Sequence, residues 1–292
     1  MAPQKILLFG KVGQVGWELR RTLAPLGQLV CVDFPEVDLT KPDSIRGWIR
    51  DTAPDLIINA AAYTAVDKAE TETALATAIN AEAPGIMAEE AKHRGALLVH
   101  YSTDYVFDGT KTTPYVEEDA PNPLGAYGRT KLAGDTAIRQ VGGRHLIFRL
   151  CWVYGTRGSN FLLTMQRLAR EREQLRVVHD QIGCPTGSRL IADTTALALQ
   201  QVRTSGDTDR FTGTYHLCCA GQTSWHGFAS AIIAQLPAAE RKCREIAAVP
   251  STEYPTPTKR PAYSVMSCGK LHRTFGLTLP DWRDNLGLVL DA

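Results

Sequence analysis

Ile6-Leu7-Leu8-Phe9-Gly10-Lys11-Val12-Gly13-Gln14-Val15-Gly16 decides the fold. Four apolar residues without alternation read as a strand covered on both faces, as in a parallel sheet. The glycines that follow have G-x-x-G-x-x-G spacing, and they end the strand and open a helix. Gly10 permits the tight turn, Gly13 lets backbone approach a pyrophosphate, and Gly16 allows close helix–strand packing. The helix N-terminus then offers free N–H groups to anionic oxygens. A bare glycine motif is weak, and a turn that only packs is the plain alternative. Its place between strand and helix favours dinucleotide binding. So does Asp33, which ends the next apolar run about 20 residues on, where an acid can bond a ribose 2′-hydroxyl.

Outward from that turn the first half alternates strand and helix. Apolar runs at 6–9, 29–32, 56–58, 96–101 and 146–150 read as strands, and 15–26, 44–51, 72–93 and 127–141 as helices. Repeated strand–helix–strand units of this length imply an α/β fold with a doubly wound parallel sheet, Rossmann-like. After Leu150 the pattern changes. Helices are expected at 160–173, 190–202 and 225–236, a strand at 213–218, a Gly/Pro loop at 180–187 and a short helix after Pro280. The expected division is a dinucleotide-binding domain over 1–150, with segments near 187–218 returning to it. A smaller interleaved substrate-binding region would take 151–186 and 219–292.

Composition narrows the class. A net charge of +1 gives no reason to expect nucleic acid or an acidic membrane surface as partner. The seven cysteines are odd in number and none has C-x-x-C spacing, which favours reduced thiols and a cytoplasmic location over zinc or a disulfide framework. No run reaches the ~18 apolar residues that span a bilayer. The N-terminal lead lacks the apolar core of a signal peptide.

Ser102-Thr103-Asp104-Tyr105-Val106-Phe107-Asp108-Gly109 follows the fourth strand, and Tyr127-Gly128-Arg129-Thr130-Lys131 opens the next helix. No other Tyr in the chain has Lys four residues on, and a solvated helix pair is the plain alternative. In a doubly wound sheet, however, both segments reach the carboxyl edge, where ligands bind. There Tyr127 would pass a proton to a carbonyl while a nicotinamide delivers hydride. A free phenol, near pKa ~10, deprotonates poorly at neutral pH. The Lys131 ammonium and the charge of the oxidised nicotinamide favour phenolate, and Lys131 also suits the nicotinamide ribose. Thr103 would donate a hydrogen bond to the oxygen gaining charge, with Ser102 the neighbouring candidate. Strand alternation points only one of the two inward. Asn59-Ala60-Ala61-Ala62-Tyr63-Thr64, after the third strand, offers small side chains against the cofactor's middle. Asp38-Leu39 either borders the adenine or, for Asp38, caps a turn. Asp33 opposes a 2′-phosphate and favours NADH, while nearby Lys11 softens that preference and leaves NADPH open.

Taken together these segments resemble the extended short-chain dehydrogenase/reductase superfamily, and within it the dTDP-4-dehydrorhamnose reductase family. The likeness continues through Arg149-x-x-Trp152-Val153-Tyr154, Asp180-Gln181-x-Gly183-x-Pro185-Thr186 and Tyr254-Pro255-Thr256-Pro257-x-x-Arg260-Pro261, nearly the whole chain. The resemblance implies reduction of a nucleotide-sugar C4 ketone with NADPH or NADH. It implies that Thr103, Tyr127 and Lys131 are catalytic and that Thr103, Asp104, Tyr127 and Trp152 meet the sugar. Trp152 as a core aromatic is the alternative. It also implies cofactor contacts from Gly13, Gln14, Val15, Asp33, Asp38, Leu39, Ala62, Tyr63, Thr64 and Lys131, with Gly10, Gly16, Ala60 and Ala61 shaping the same wall. For the diphosphate, Lys259 and Arg260 stand in a proline-stiffened loop, and the guanidinium fork of Arg260 fits phosphate oxygens better.

Some members of that family dimerise around Mg²⁺ held by carboxylates. Glu18 matches one such position, but Arg189 stands where the second acid belongs, with Asp193 nearby, so no metal is expected. A homodimer without metal stays open. Two other readings share the scaffold. One is a nucleotide-sugar epimerase or dehydratase. The other is a non-catalytic NADP-binding subunit like that of methionine adenosyltransferase, against which the intact Thr103, Tyr127 and Lys131 argue.

Overall fold

The computed structural model describes residues 4–291. The first three residues of the N-terminal lead, read above for a signal peptide, lie outside that range. Strands β1 (Lys5–Phe9), β2 (Gln28–Val32), β3 (Leu56–Asn59), β4 (Leu97–Thr103) and β5 (His145–Leu150) join the strand Gly213–His216 in one six-stranded sheet. From edge to edge the order is Gly213–His216, β5, β4, β3, β1, β2. Every neighbouring pair is parallel. The fold is thus Rossmann-like.

The continuous apolar strands are explained by two cores. Ile6, Leu8, Ile58, Val99 and Phe148 face one layer, with Leu19 of helix α1 (Gln14–Thr22) and Ile191, Ala198 and Val202 of the helix Ser188–Thr204. The alternate residues Leu7, Phe9, Ile57, Leu98 and Ile147 face the other, with Ile45, Ile49, Met87, Ala91 and Ile138. Side chains alternate across a strand, so covering both faces requires apolar residues at every position. A further core lies beyond the sheet. It gathers Tyr154, Leu162, Met165, Leu175, Phe228, Trp282 and Leu286 from three stretches of the second half.

Three details differ from the sequence expectation. The helix expected over 72–93 is Thr73–Thr77, then a π-turn at Ala78–Glu82, then Ala83–Arg94. Pro84 has no N–H to give to the carbonyl four residues back, so the α-ladder breaks there. The loop expected at 180–187 contributes Ile182–Gly183, antiparallel to Thr223–Ser224, and Thr186–Gly187, parallel to Val153–Tyr154. Two unforeseen strands, Gln174–Val178 and Glu245–Val249, pair in parallel.

The chain passes from β1 to β2 on one side, while β3 lies on the other. This reversal opens a crevice at the carboxyl ends of β1 and β3. Gly10 sits at its base with φ +86°, and a Cβ there would fall 2.5 Å from the Ala61 nitrogen. No other residue fits that turn.

Candidate active site

A cleft of about 700 Å³ runs along the carboxyl edge from the glycine turn to the end of β5. Gly10, Gly13, Gln14 and Val15 line it from the first turn, Asp33 from the end of β2, and Ala60, Ala61, Ala62 and Thr64 from the turn after β3. Thr103, Asp104, Tyr127, Lys131 and Trp152 line its other half. Gly16, Asp38, Leu39, Tyr63 and Arg260 are not part of the wall. Gly16 packs against the Gly10 carbonyl. Asp38 accepts from Thr40 at 2.6 Å, Leu39 packs on the core, and Tyr63 donates to Glu72 at 2.8 Å. Arg260 pairs with Asp67 at 3.3 Å, its Nε buried without a partner, and Lys259 is exposed.

The donors at the glycine turn suit a pyrophosphate. Helix α1 starts after Gly13 with no side chain capping its first turn. Its leading N–H groups therefore have no intrahelical partner and sit at the positive end of the dipole. A Cβ added at Gly13 would meet no atom closer than 3.6 Å, so the backbone lies open to the cleft. Asp33 braces the turn, accepting from the Val12 N–H at 3.0 Å and the Phe34 N–H at 2.9 Å. Lys11 does not stand free beside it, because its ammonium pairs with Glu36 at 2.5 Å. These residues fit a dinucleotide.

At the reactive end, β4 extends to Thr103 before a tight turn at Asp104–Val106. Because the strand gives way to that turn, alternation fails at its last two residues and both Ser102 and Thr103 line the cleft. Thr103 Oγ1 donates to Asp104 Oδ1 at 3.0 Å and accepts from the Tyr105 N–H at 3.2 Å. Ser102 Oγ is buried without a partner. Tyr127 lies in the first turn of the helix Ala126–Val141, held close because Gly128 lies against the Tyr105 carbonyl, where a Cβ would sit 2.2 Å from the oxygen.

Burial pushes the Tyr127 phenol up to about 12, against a smaller lowering by the Thr103 hydroxyl. In the chain alone, without the nicotinamide's charge, the lowering expected from Lys131 does not emerge. Desolvation of the anion is the larger effect, and the phenol stays protonated at neutral pH. Burial likewise pulls Lys131 down to about 8, opposed by Asp135 one turn along. The amine donates to the Tyr101 carbonyl at 2.6 Å. Asp104, enclosed and accepting from Cys151 Sγ at 3.2 Å, is pushed up to about 6 by burial. A protonated phenol beside a hydroxyl and an amine, facing an open cleft, can give a proton to a bound carbonyl oxygen.

Trp152 adopts φ +45°, in the left-handed region, and its indole stacks on Trp225 with centroids 3.5 Å apart and planes 7° apart. Trp225 donates to Gln181 Oε1 at 3.2 Å, and Gln181 donates to Ser251 at 3.0 Å. Trp225, Ser159 and Asn160 also line the cleft, and the sequence reading does not single them out. Only Asn160 carried a signal, as an Asn preceding a helical run. It caps that helix, accepting from the Leu163 N–H at 3.1 Å. Among the described residues, no group of three or more His, Cys, Asp or Glu side chains is arranged to hold a metal, and all seven cysteines are free. No described helix is long and apolar enough to cross a membrane.

The fold and the hydroxyl–phenol–amine cluster on its carboxyl edge define an oxidoreductase of the extended short-chain type. The family model for the RmlD substrate binding domain matches residues 4–292. Among curated relatives, dTDP-4-dehydrorhamnose reductase of Burkholderia thailandensis is 51% identical over 98% of this chain and 98% of its own. The enzyme of the same name from Escherichia coli K12 is 47% identical over 98% and 97%. The solved structure of a dTDP-4-dehydrorhamnose reductase from Bacillus anthracis in complex with NADP superposes with TM-score 0.91 at 33% identity, covering 100% of this chain and 99% of that one. The chain belongs to the dTDP-4-dehydrorhamnose reductase family.

Proposed function

We propose that the protein reduces the C4 ketone of dTDP-4-dehydro-L-rhamnose to dTDP-L-rhamnose, with NADH or NADPH as reductant. One observation carries the reading: Thr103, Tyr127 and Lys131 share a single open cleft with the uncapped amides of the glycine turn. When bound, the dinucleotide supplies hydride to the ketone carbon. Tyr127 gives its proton to the ketone oxygen, a step its protonated state at neutral pH favours. Thr103 turns its hydroxyl from Asp104 to that oxygen as charge develops. Lys131 holds the nicotinamide ribose, and the stacked Trp152 and Trp225 form the apolar wall beside the sugar. Arg260 stands outside the cleft wall and would have to leave its pairing with Asp67 to reach the substrate's diphosphate. The cytoplasm is the compartment this reading implies, since the free thiols belong in a reducing environment.

The test is consumption of NADH or NADPH by purified protein given the keto sugar, with product identified by mass. One mole of reductant oxidised per mole of dTDP-L-rhamnose is expected. Tight cofactor binding with no turnover would instead favour a regulatory subunit, and sugar conversion without net consumption an epimerase.

A further inference from the structure

Behind Asp104 stands a row of four thiols that the proposed reaction does not use. Cys151 Sγ accepts the Cys184 N–H at 3.1 Å, and Cys184 in turn meets the Cys218 sulfur. Cys218 Sγ lies 3.7 Å from Cys268 Sγ. Cys151, Cys184 and Cys218 are sealed, at 0%, 0% and 1% exposure, and Cys268 alone of the four is half-buried. Cys218 lies two residues past the sheet strand Gly213–His216, and Cys268 directly precedes the helix Gly269–Phe275. Backbone holds these two together. Cys268 Sγ accepts the Cys218 N–H at 3.3 Å and, as a thiol, donates to the Cys218 carbonyl at 3.3 Å. Cys218 Sγ donates to the Met266 carbonyl at 3.5 Å. Cys31, the other half-buried thiol, sits on β2 at the opposite edge of the sheet, out of reach of the row.

We propose that Cys268 and Cys218 form an oxidative modification site, at which a hydroperoxide oxidises Cys268 and Cys218 resolves the product into a reversible disulfide. Exposure and hydrogen bonding assign the two roles. Cys268 is the sulfur that solvent reaches, and the N–H it already accepts favours its thiolate. Contact with the Cys184 and Cys268 sulfurs, with burial added, holds the Cys218 thiol well up, so Cys218 keeps its proton until it attacks. In the first step the Cys268 thiolate takes one peroxide oxygen. The S–O bond forms, the O–O bond breaks, and the hydroxide that leaves takes up the proton Cys268 released. In the second, Cys218 attacks the sulfenic sulfur. The S–S bond forms, the S–O bond breaks, and the Cys218 proton leaves with the hydroxyl as water. Two thiols thus give two electrons to one peroxide, which becomes two waters. The bridge would tie the strap 261–268 to the end of the sheet. That strap runs on from Arg260, its Ser264 N–H donating to the Ile182 carbonyl at 2.8 Å and its Ser267 N–H to the Tyr115 carbonyl at 2.8 Å. In a reducing compartment such a bridge is transient, which is the use cytosolic disulfides commonly have.

The test treats the folded, reduced wild-type protein with hydrogen peroxide, alkylates the remaining thiols in urea and maps the peptides by mass. A Cys218–Cys268 bridge is expected, with Cys151, Cys184 and Cys219 alkylated and the bridge opened by dithiothreitol. A bridge joining any other pair, such as Cys184 with Cys218, overturns the proposal. So does a Cys268 that is still alkylated after about a hundredfold excess of peroxide, or that passes to sulfinic acid without a bridge. Two variants test the roles. In Cys218→Ser the sulfenic acid has no resolving thiol, so dimedone should trap it on Cys268. In Cys268→Ser the oxidation of Cys218 should slow by about tenfold or more, because its sulfur is sealed. A dimedone adduct on Cys218 in Cys268→Ser, at the rate seen for Cys268, overturns the assignment. No arm uses cofactor or sugar, so the result is independent of the reaction proposed above. Should either variant not fold, the wild-type map still decides.

Discussion

The two ends of the cleft obey different electrostatics. At the reactive end, Lys131 and Asp104 are enclosed and Tyr127 is half-buried beside the cleft, and burial is the first cause of each shifted proton affinity. At the ribose end, Asp33, Lys11 and Glu36 stand at the surface, and pairing decides: Lys11 with Glu36, and Asp33 with backbone N–H groups. Water screens the second set far more than the first. One carboxylate or phenol at the dry end therefore carries a large free energy, while one charge at the wet end tunes a preference.

The comparison breaks most visibly at Tyr127. If the phenol is the proton donor, Tyr127→Phe should lower kcat by about 10²- to 10⁴-fold, the usual worth of a positioned acid. Cofactor affinity, measured by fluorescence titration, should change less than about twofold, since the lost hydroxyl is not needed at the pyrophosphate. Turnover within tenfold of wild type would remove Tyr127 from the reaction.

Asp104 sharpens the same contrast through stability. Its carboxyl is raised from an ordinary 3.8 to about 6 in the folded chain. Between those values the native state holds more proton than the unfolded one, so this group's contribution falls as pH rises through that window. Above about 6 the full cost of the buried anion is present, roughly 3 kcal/mol. Asp104→Asn removes that cost. The variant should melt higher than wild type at pH 7.5, and the advantage should shrink toward pH 4. An advantage that is constant with pH would mean burial does not govern Asp104.

The two halves of the chain also differ in how much their sequence discloses. The five strand-like runs 6–9, 29–32, 56–58, 96–101 and 146–150 all correspond to sheet strands, because covering both sheet faces leaves an unbroken apolar record. The glycine turn is legible for a similar reason: its conformation admits one residue type. Gln174–Val178 and Glu245–Val249 left no such record. They carry charged residues on one face, and their pairing joins segments some seventy positions apart. The Trp152–Trp225 stack is hidden in the same way, since neither residue forecasts the other. The raised proton affinity of Tyr127 in the chain alone is not legible from sequence, because a Lys four residues on is visible there and the burial of the phenol is not.

That stack gives the next test. Trp152 holds a left-handed backbone conformation that costs of order 1–3 kcal/mol and persists only when its surroundings fix it. Trp225 is the flat face that fixes its ring. An aromatic pair is worth about 0.5–1.5 kcal/mol beyond burial, so Trp225→Ala should raise KM for the nucleotide sugar by up to about tenfold. Its kcat should stay within about threefold, because no group that moves a proton is touched. A loss confined to kcat would place Trp225 outside the sugar wall.

The smallest effect is expected at the wet end, and it bears on cofactor choice. Asp33 faces the cleft as an anion, and Glu36 holds the one lysine of the turn that would offset it. Glu36→Gln removes a negative charge and frees the Lys11 ammonium for a 2′-phosphate. The ratio of kcat/KM for NADPH over NADH should rise, but by only about two- to fivefold, because an exposed ion pair is weak and screened. Raising the salt concentration should erase most of the gain, because the Debye length contracts from about 8 Å at physiological ionic strength to about 3 Å at 1 M. A tenfold or larger switch that survives high salt would show that Lys11 and Glu36 act on the cofactor by direct contact, and would move the boundary between dry and wet ends outward to the glycine turn itself.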